Sequence, residues 1–220
     1  MQLNELFPKF DKLHSIYGSK VLTSIYGAGK IKKPNICLIF MNPTVKNVSA
    51  VYSWKGIRAP WIGTKNIWKL LNTLGLFNNT LLLNKIQSMR PEEWTWEFAE
   101  NLYKDVVKES LYITNIAKCT QDDARHLPDS VYKEYLPLMI EELEYIKPKI
   151  VFALGNQVNS ILLQRPISVS KYTTDEYEIL TTPHGLDLRI YPSYYPIGQG
   201  SRNMSKAIKR ITKVLEVSKI

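Results

Sequence analysis

The run Ile36-Cys37-Leu38-Ile39-Phe40, followed at once by Met41-Asn42-Pro43-Thr44, decides how this chain is to be read. Five apolar residues without polar alternation suit a strand covered on both faces, as in a parallel sheet. Three further runs have the same character: Leu111-Tyr112-Ile113-Thr114, Ile150-Val151-Phe152-Ala153-Leu154 and Leu188-Arg189-Ile190-Tyr191. A fifth, Tyr177 to Leu180, can pair with the last across Pro183-His184-Gly185. Helical patterns separate the runs. Asn66 to Leu74 places Ile67, Leu70, Leu71 and Leu74 on one face, and Ser130 to Tyr145 does the same with Leu136, Ile140 and Leu143. Gly155 to Leu163 follows the third run directly, and Ser201 to Val217 closes the chain with lysines on its outer face. This alternation predicts an α/β fold, a three-layer α/β/α sandwich around a central, mainly parallel four-stranded sheet. In such sheets ligands gather beyond the carboxyl ends of the strands.

The chain has 220 residues, 45% of them hydrophobic and 22% charged, which is enough for a core that needs no disulfide or metal staple. No repeat or linker-like stretch breaks it, so one domain over residues 1–220 is expected, as a monomer. Only Cys37 and Cys119 occur, too few for a cysteine-rich zinc site or an iron–sulfur cluster, and both are expected to be reduced. No apolar run approaches the roughly 20 residues that span a bilayer. The opening Met1-Gln2-Leu3-Asn4-Glu5 has no basic region leading into an apolar one. No membrane association is expected, and the location should be cytoplasmic, or nuclear in a eukaryote. Twenty-nine Lys and Arg against twenty Asp and Glu give a net charge of +9, which fits a polyanionic partner.

Polar residues follow three strands: Asn42 after the first, Asn115 and Lys118 after the second, and Ser193-Tyr194-Tyr195 to Ser201 after the fourth. The third ends in Leu154-Gly155-Asn156, where glycine lets a strand turn straight into a helix. An asparagine can donate and accept at once and can orient water without titrating. Taken singly, each is a turn residue or helix cap. Two at adjacent strand ends suggest one shared pocket.

Met41-Asn42-Pro43 after a buried strand resembles the first motif of the uracil-DNA glycosylase superfamily, in the form used by its mismatch-specific and single-strand-selective members. The similarity continues through Trp54-Lys55-Gly56 and Lys65-Asn66-Ile67-Trp68-Lys69-Leu70. The middle of the chain, with Thr114-Asn115, Lys118-Cys119, Arg125, Glu134 and Lys147-Pro148-Lys149, resembles the bacterial and archaeal iron–sulfur members. Those need four cysteines, and only Cys119 falls at a matching place, so no cofactor or metal is expected. The resemblance runs from about residue 34 to residue 214.

It implies a protein that takes a flipped base out of DNA and hydrolyses its N-glycosidic bond without a metal. Asn42 would orient the water, with main-chain amides near Met41 at a carbonyl of the base. Asn115 would read the Watson–Crick edge, and Trp54 or Tyr52 would stack on the ring. Lys65, Lys118 and the Gly198-Gln199-Gly200-Ser201 turn would meet phosphates. The last motif usually carries a histidine. Here Tyr191-Pro192 and Tyr195-Pro196 both compete for its place, and the spacing to the last helix favours Tyr195 as a neutral donor to O2. His184 reads as an exposed turn residue. Two positions that usually hold glycine carry Phe40 and Thr44, whose bulk would narrow the approach to the ligand. These departures leave open a module that keeps the fold and binds DNA or a base without cleaving. A nucleotide-binding enzyme is a further reading, disfavoured because no glycine-rich turn follows the first strand.

Overall fold

The four apolar runs form the four inner strands of one sheet. The computed structural model describes residues 2–125 and 127–219, and the side chain of Gln199 lies outside the described residues. The strands are β1 (Ala28–Gly29), β2 (Ile36–Phe40), β3 (Leu111–Asn115), β4 (Ile150–Leu154), β5 (Glu178–Thr181) and β6 (Asp187–Ser193), in the order β1-β3-β2-β4-β6-β5. The inner pairs β3–β2, β2–β4 and β4–β6 are all parallel. Two antiparallel strands close the edges, β1 on β3 and β5 on β6. The sheet therefore has six strands rather than four. β5 is the hairpin partner expected ahead of Pro183-His184-Gly185, while β1 is a two-residue strand defined by its pairing with Tyr112 and Ile113.

Because side chains alternate along a strand, each inner strand feeds two cores. Ile36, Leu38, Phe40, Ile113, Phe152 and Leu154 point into one, and Cys37, Ile39, Tyr112, Val151 and Ala153 into the other. The first core is covered by α2 (Asn66–Thr73), α3 (Thr80–Ser88), α4 (Trp96–Lys108) and α7 (Met204–Ser218). The second lies under α1 (Phe7–Tyr17), α5 (Asp129–Ile146) and α6 (Asn156–Leu162). The result is a three-layer α/β/α sandwich. Helices α2, α5 and α6 fall within a residue or two of their expected bounds. The last helix is preceded by a 3-10 turn, Gly198–Asn203, so its α-helical part starts at Met204. Helices α1, α3 and α4 add to the sequence expectation. α4 has its reason in an N-cap, Thr95, whose hydroxyl accepts from the Phe98 N–H, and in an apolar face of Phe98, Leu102, Tyr103 and Val106.

One element of the second core is ionic. Lys118, expected at the surface against phosphate, is fully buried, with its Nζ 2.6 Å from Oε2 of the equally buried Glu142 on α5. The other carboxylate oxygen accepts from the hydroxyls of Tyr112 and Thr114, each at 2.8 Å. Lys118 Nζ also donates to Thr114 Oγ1 at 2.6 Å and to the main-chain carbonyl of Asn115 at 2.5 Å. Burial pulls the Lys118 pKa down, and the neighbouring carboxylate opposes that pull. This corrects the phosphate assignment: the ammonium is consumed inside, tying the end of β3 to α5. A charge buried without its partner costs far more than the pair. Lys118→Met should therefore lose about 3–5 kcal/mol in urea unfolding, and Lys118→Met combined with Glu142→Leu should recover most of it. A single-variant loss below about 1 kcal/mol would show that Tyr112 and Thr114 hold the carboxylate unaided.

Candidate functional site

The parallel register brings the polar strand ends together. Phe40 lies opposite Asn115 in the β2–β3 ladder. The pairing continues past both strands, with the Ile116 N–H donating to Phe40 O at 2.8 Å and the Ala117 N–H to Met41 O at 3.1 Å. Further out, Gln121 N–H donates to Pro43 O at 3.0 Å and Val45 N–H to Gln121 O at 2.8 Å. Asn42 and Asn115 thus leave the sheet side by side, on backbone that is hydrogen-bonded on its way out.

They open into a cavity of about 840 Å³ at the carboxyl edge of the sheet, within the range of about 300–1,000 Å³ typical of ligand pockets. Met41, Asn42, Thr44, Lys65, Asn115, Tyr195 and Gly198 all line it. Of the two tyrosines competing for the last motif, Tyr195 reaches the cavity. Tyr191 is buried in the core against Phe152 and Tyr177, with ring centroids 5.8 and 5.5 Å away. Two glycines flank Tyr195. Gly155, at φ +100°, turns β4 into α6, and a Cβ there would meet Tyr195 Cβ at an ordinary contact distance of 3.4 Å. A Cβ at Gly200 would collide with the Tyr195 carbonyl. Burial pushes the Tyr195 phenol up to about 12, so at neutral pH it is an uncharged donor.

Neither aromatic expected to stack on a base lies in the cavity. Trp54 packs on the core and donates its indole N–H to Ile57 O at 2.9 Å, and Tyr52 is an exposed loop residue; neither lines the cavity. Trp61 does. Its backbone sits at φ +68°, unusual for a bulky residue. A turn holds it there, with the Trp61 carbonyl accepting from Thr64 Oγ1 at 2.7 Å and from the Trp68 indole at 3.3 Å. Strain of this kind concentrates at ligand sites. The sequence signal available was Pro60-Trp61-Ile62-Gly63, a turn directly ahead of α2. Phe40 explains the ring's placement. Instead of narrowing the cavity, its side chain turns into the core and meets Trp61 edge-on at 4.8 Å and Tyr195 at 6.1 Å. The expected obstruction at this position does not occur. Thr44 does face the cavity.

The electrostatics are one-sided. Lys46, Lys65 and Arg202 line the cavity, and among its described lining residues there is no Asp, Glu, His or Cys. Lys65 is partly engaged, donating to Gln87 O at 2.8 Å. Ser201 is exposed on the 3-10 turn outside the lining, and the Gln199 side chain lies outside the described residues. His184 is exposed on the β5–β6 turn, paired with Glu144 at 2.8 Å. Among the described residues no cluster of three or more His, Cys, Asp or Glu is placed to hold a metal ion, and no helix is long and apolar enough to cross a membrane.

Such a cavity can accept and donate hydrogen bonds to a flat polar ring, stack on it and attract the phosphates beside it, and its described lining residues include no carboxylate or imidazole. The model of the uracil DNA glycosylase superfamily matches residues 27–215, a span that holds every strand and all the cavity residues named above. The chain therefore belongs to the uracil DNA glycosylase superfamily, with the DNA-glycosylase type of hydrolysis and the DNA partner that membership brings.

Proposed function

We propose that the chain is a monofunctional glycosylase that hydrolyses the N-glycosidic bond of uracil, or of a related base, swung out of DNA. The observation that carries this reading is the meeting of Asn42, Asn115, Tyr195 and Trp61 in one cavity whose described lining contains no acid. A base such as adenine or cytosine leaves readily only after protonation. Uracil can leave as a ring-nitrogen anion, so donors aimed at its oxygens suffice. Extrusion from the stack costs a few kcal/mol, which Trp61 and the cationic lining offset by stacking and phosphate contact.

In the reaction the C1′–N1 bond breaks and its electron pair departs with the base. Tyr195 donates to O2, where negative charge grows, and Asn115 pairs with N3–H and O4. Positive charge collects on the sugar, and a water held by Asn42 adds to C1′ and loses its proton to solvent. Asparagine cannot take that proton, so its role is orientation, which contributes in the transition state and hardly in the ground state. The core placement of Phe40 takes away one of the departures that favour a module that binds without cleaving, while Thr44 in the lining and a tyrosine in place of the motif histidine stay.

Incubation with a uracil-containing oligonucleotide, followed by alkali, tests the reading: strand cleavage at uracil is expected. Asn42→Ala should slow base release by roughly 10²–10³, leaving a residual rate that single-turnover assays can read, while oligonucleotide affinity stays near wild type. Failure of the wild type on single- and double-stranded uracil substrates alike would favour the binding module.

The rate should also be nearly independent of pH between about 6 and 9, because no cavity group expected to act on the base titrates there. The decline should come only as pH rises toward the Tyr195 value of about 12, where its O–H is lost. Tyr195→Phe should lower the plateau by roughly 10²–10³ without reshaping it. A bell-shaped profile centred near neutrality would instead mean that an acid or base other than the described lining residues takes part.

A further inference from the structure

The function proposed above does not account for Tyr132. It lies on α5 in the second core, is fully buried and is not among the cavity's lining residues. Its hydroxyl donates to Oδ1 of Asn42 at 2.7 Å. The other end of the same amide is fixed as well, because Asn42 Nδ2 donates to Pro43 O at 3.1 Å. The two contacts define one orientation. A carbonyl can only accept, so the NH₂ must face Pro43, and the tyrosine must then be the donor at the amide oxygen. Each contact uses one site, leaving Asn42 one oxygen lone pair and one N–H for whatever enters the cavity. Burial raises the Tyr132 pKa, so its hydroxyl keeps its proton at neutral pH. Among the described residues Asn42 has no other side-chain partner of this kind, and it lies in the loop that follows β2.

We infer that Tyr132 is a positioning residue for Asn42: it holds the amide so that the free oxygen lone pair faces the reacting water. This rests on the glycosylase reading of Asn42. Helix α5 then serves both asparagines. Tyr132 sets the side chain of Asn42, and Glu142 acts through Lys118 on the main chain of Asn115. A residue that only filled space would be replaced well by phenylalanine, which keeps the ring and removes the one atom that touches Asn42.

The test compares wild type, Tyr132→Phe, Asn42→Ala and the double variant on one uracil oligonucleotide. It is read alongside thermal melting and NMR spectra of the asparagine side-chain amides. Tyr132→Phe is expected to melt near wild type and keep KM within about twofold, while kcat falls roughly ten- to hundredfold, the scale of a small misplacement. Added to Asn42→Ala it should cost nothing more, since the residue it positions is gone. The Asn42 amide signals should shift and broaden in Tyr132→Phe. Wild-type kcat in the Phe variant, an equal loss in both backgrounds, or unmoved Asn42 amide signals would each overturn the inference. Wild-type release by Asn42→Ala would instead defeat the catalytic reading of Asn42, and the amide spectra alone would then decide about Tyr132.

Discussion

Phe40 opposite Asn115 in the β2–β3 ladder is the constraint from which the site follows. A slip of one residue would exchange the faces of every side chain on the strand. It would drive Phe40 out of the core that carries Trp61 and Tyr195, and it would part the two asparagines. The register is secured on both faces by apolar packing. Beyond the strand ends it is secured by the continued hydrogen bonds from Ile116 and Ala117. The buried Lys118–Glu142 pair locks the same place from behind, through the carbonyl of Asn115. A network of this kind adds little net stability over an apolar core, but it admits a single arrangement of the groups it joins.

The cavity and the core divide the polar chemistry between them. The ionised groups near the site's asparagines are sealed beneath the sheet's edge, whereas the described cavity wall offers neutral amides, a phenol and peripheral cations. That division suits departure of a base as an anion. Neutral donors suit the leaving group, cations suit the phosphates, and the described lining itself holds no carboxylate to repel the backbone of an incoming strand. A net charge of +9 supports the same approach over a longer range.

Much of this was legible in the sequence because it depends on local pattern. The four buried runs announce the parallel strands, and the strand-end rule then selects Asn42, Asn115 and the segment carrying Tyr195. What was not legible depends on partners far along the chain. Lys118 reads as a surface cation until Glu142, on another element, supplies its counter-charge. Trp54 stands nearer the first motif than Trp61. What favours Trp61 is a positive-φ turn and the edge of Phe40, neither visible in composition or spacing. Phe40 itself was misjudged because a residue at the last position of a strand can face either layer, and here alternation sends it into the core. β1 is too short for any periodicity and exists through its pairing with β3.

The central claim is that the carboxyl edge of this sheet receives an extruded base. A crystal structure with an oligonucleotide carrying 2′-fluoro-deoxyuridine, whose glycosidic bond resists hydrolysis, tests it directly. The account predicts the uracil ring lying against Trp61 with its polar edge at Asn115, its O2 near Tyr195 and C1′ facing Asn42. A base left stacked in the DNA, or one bound against Trp54 with the cavity empty, would contradict it.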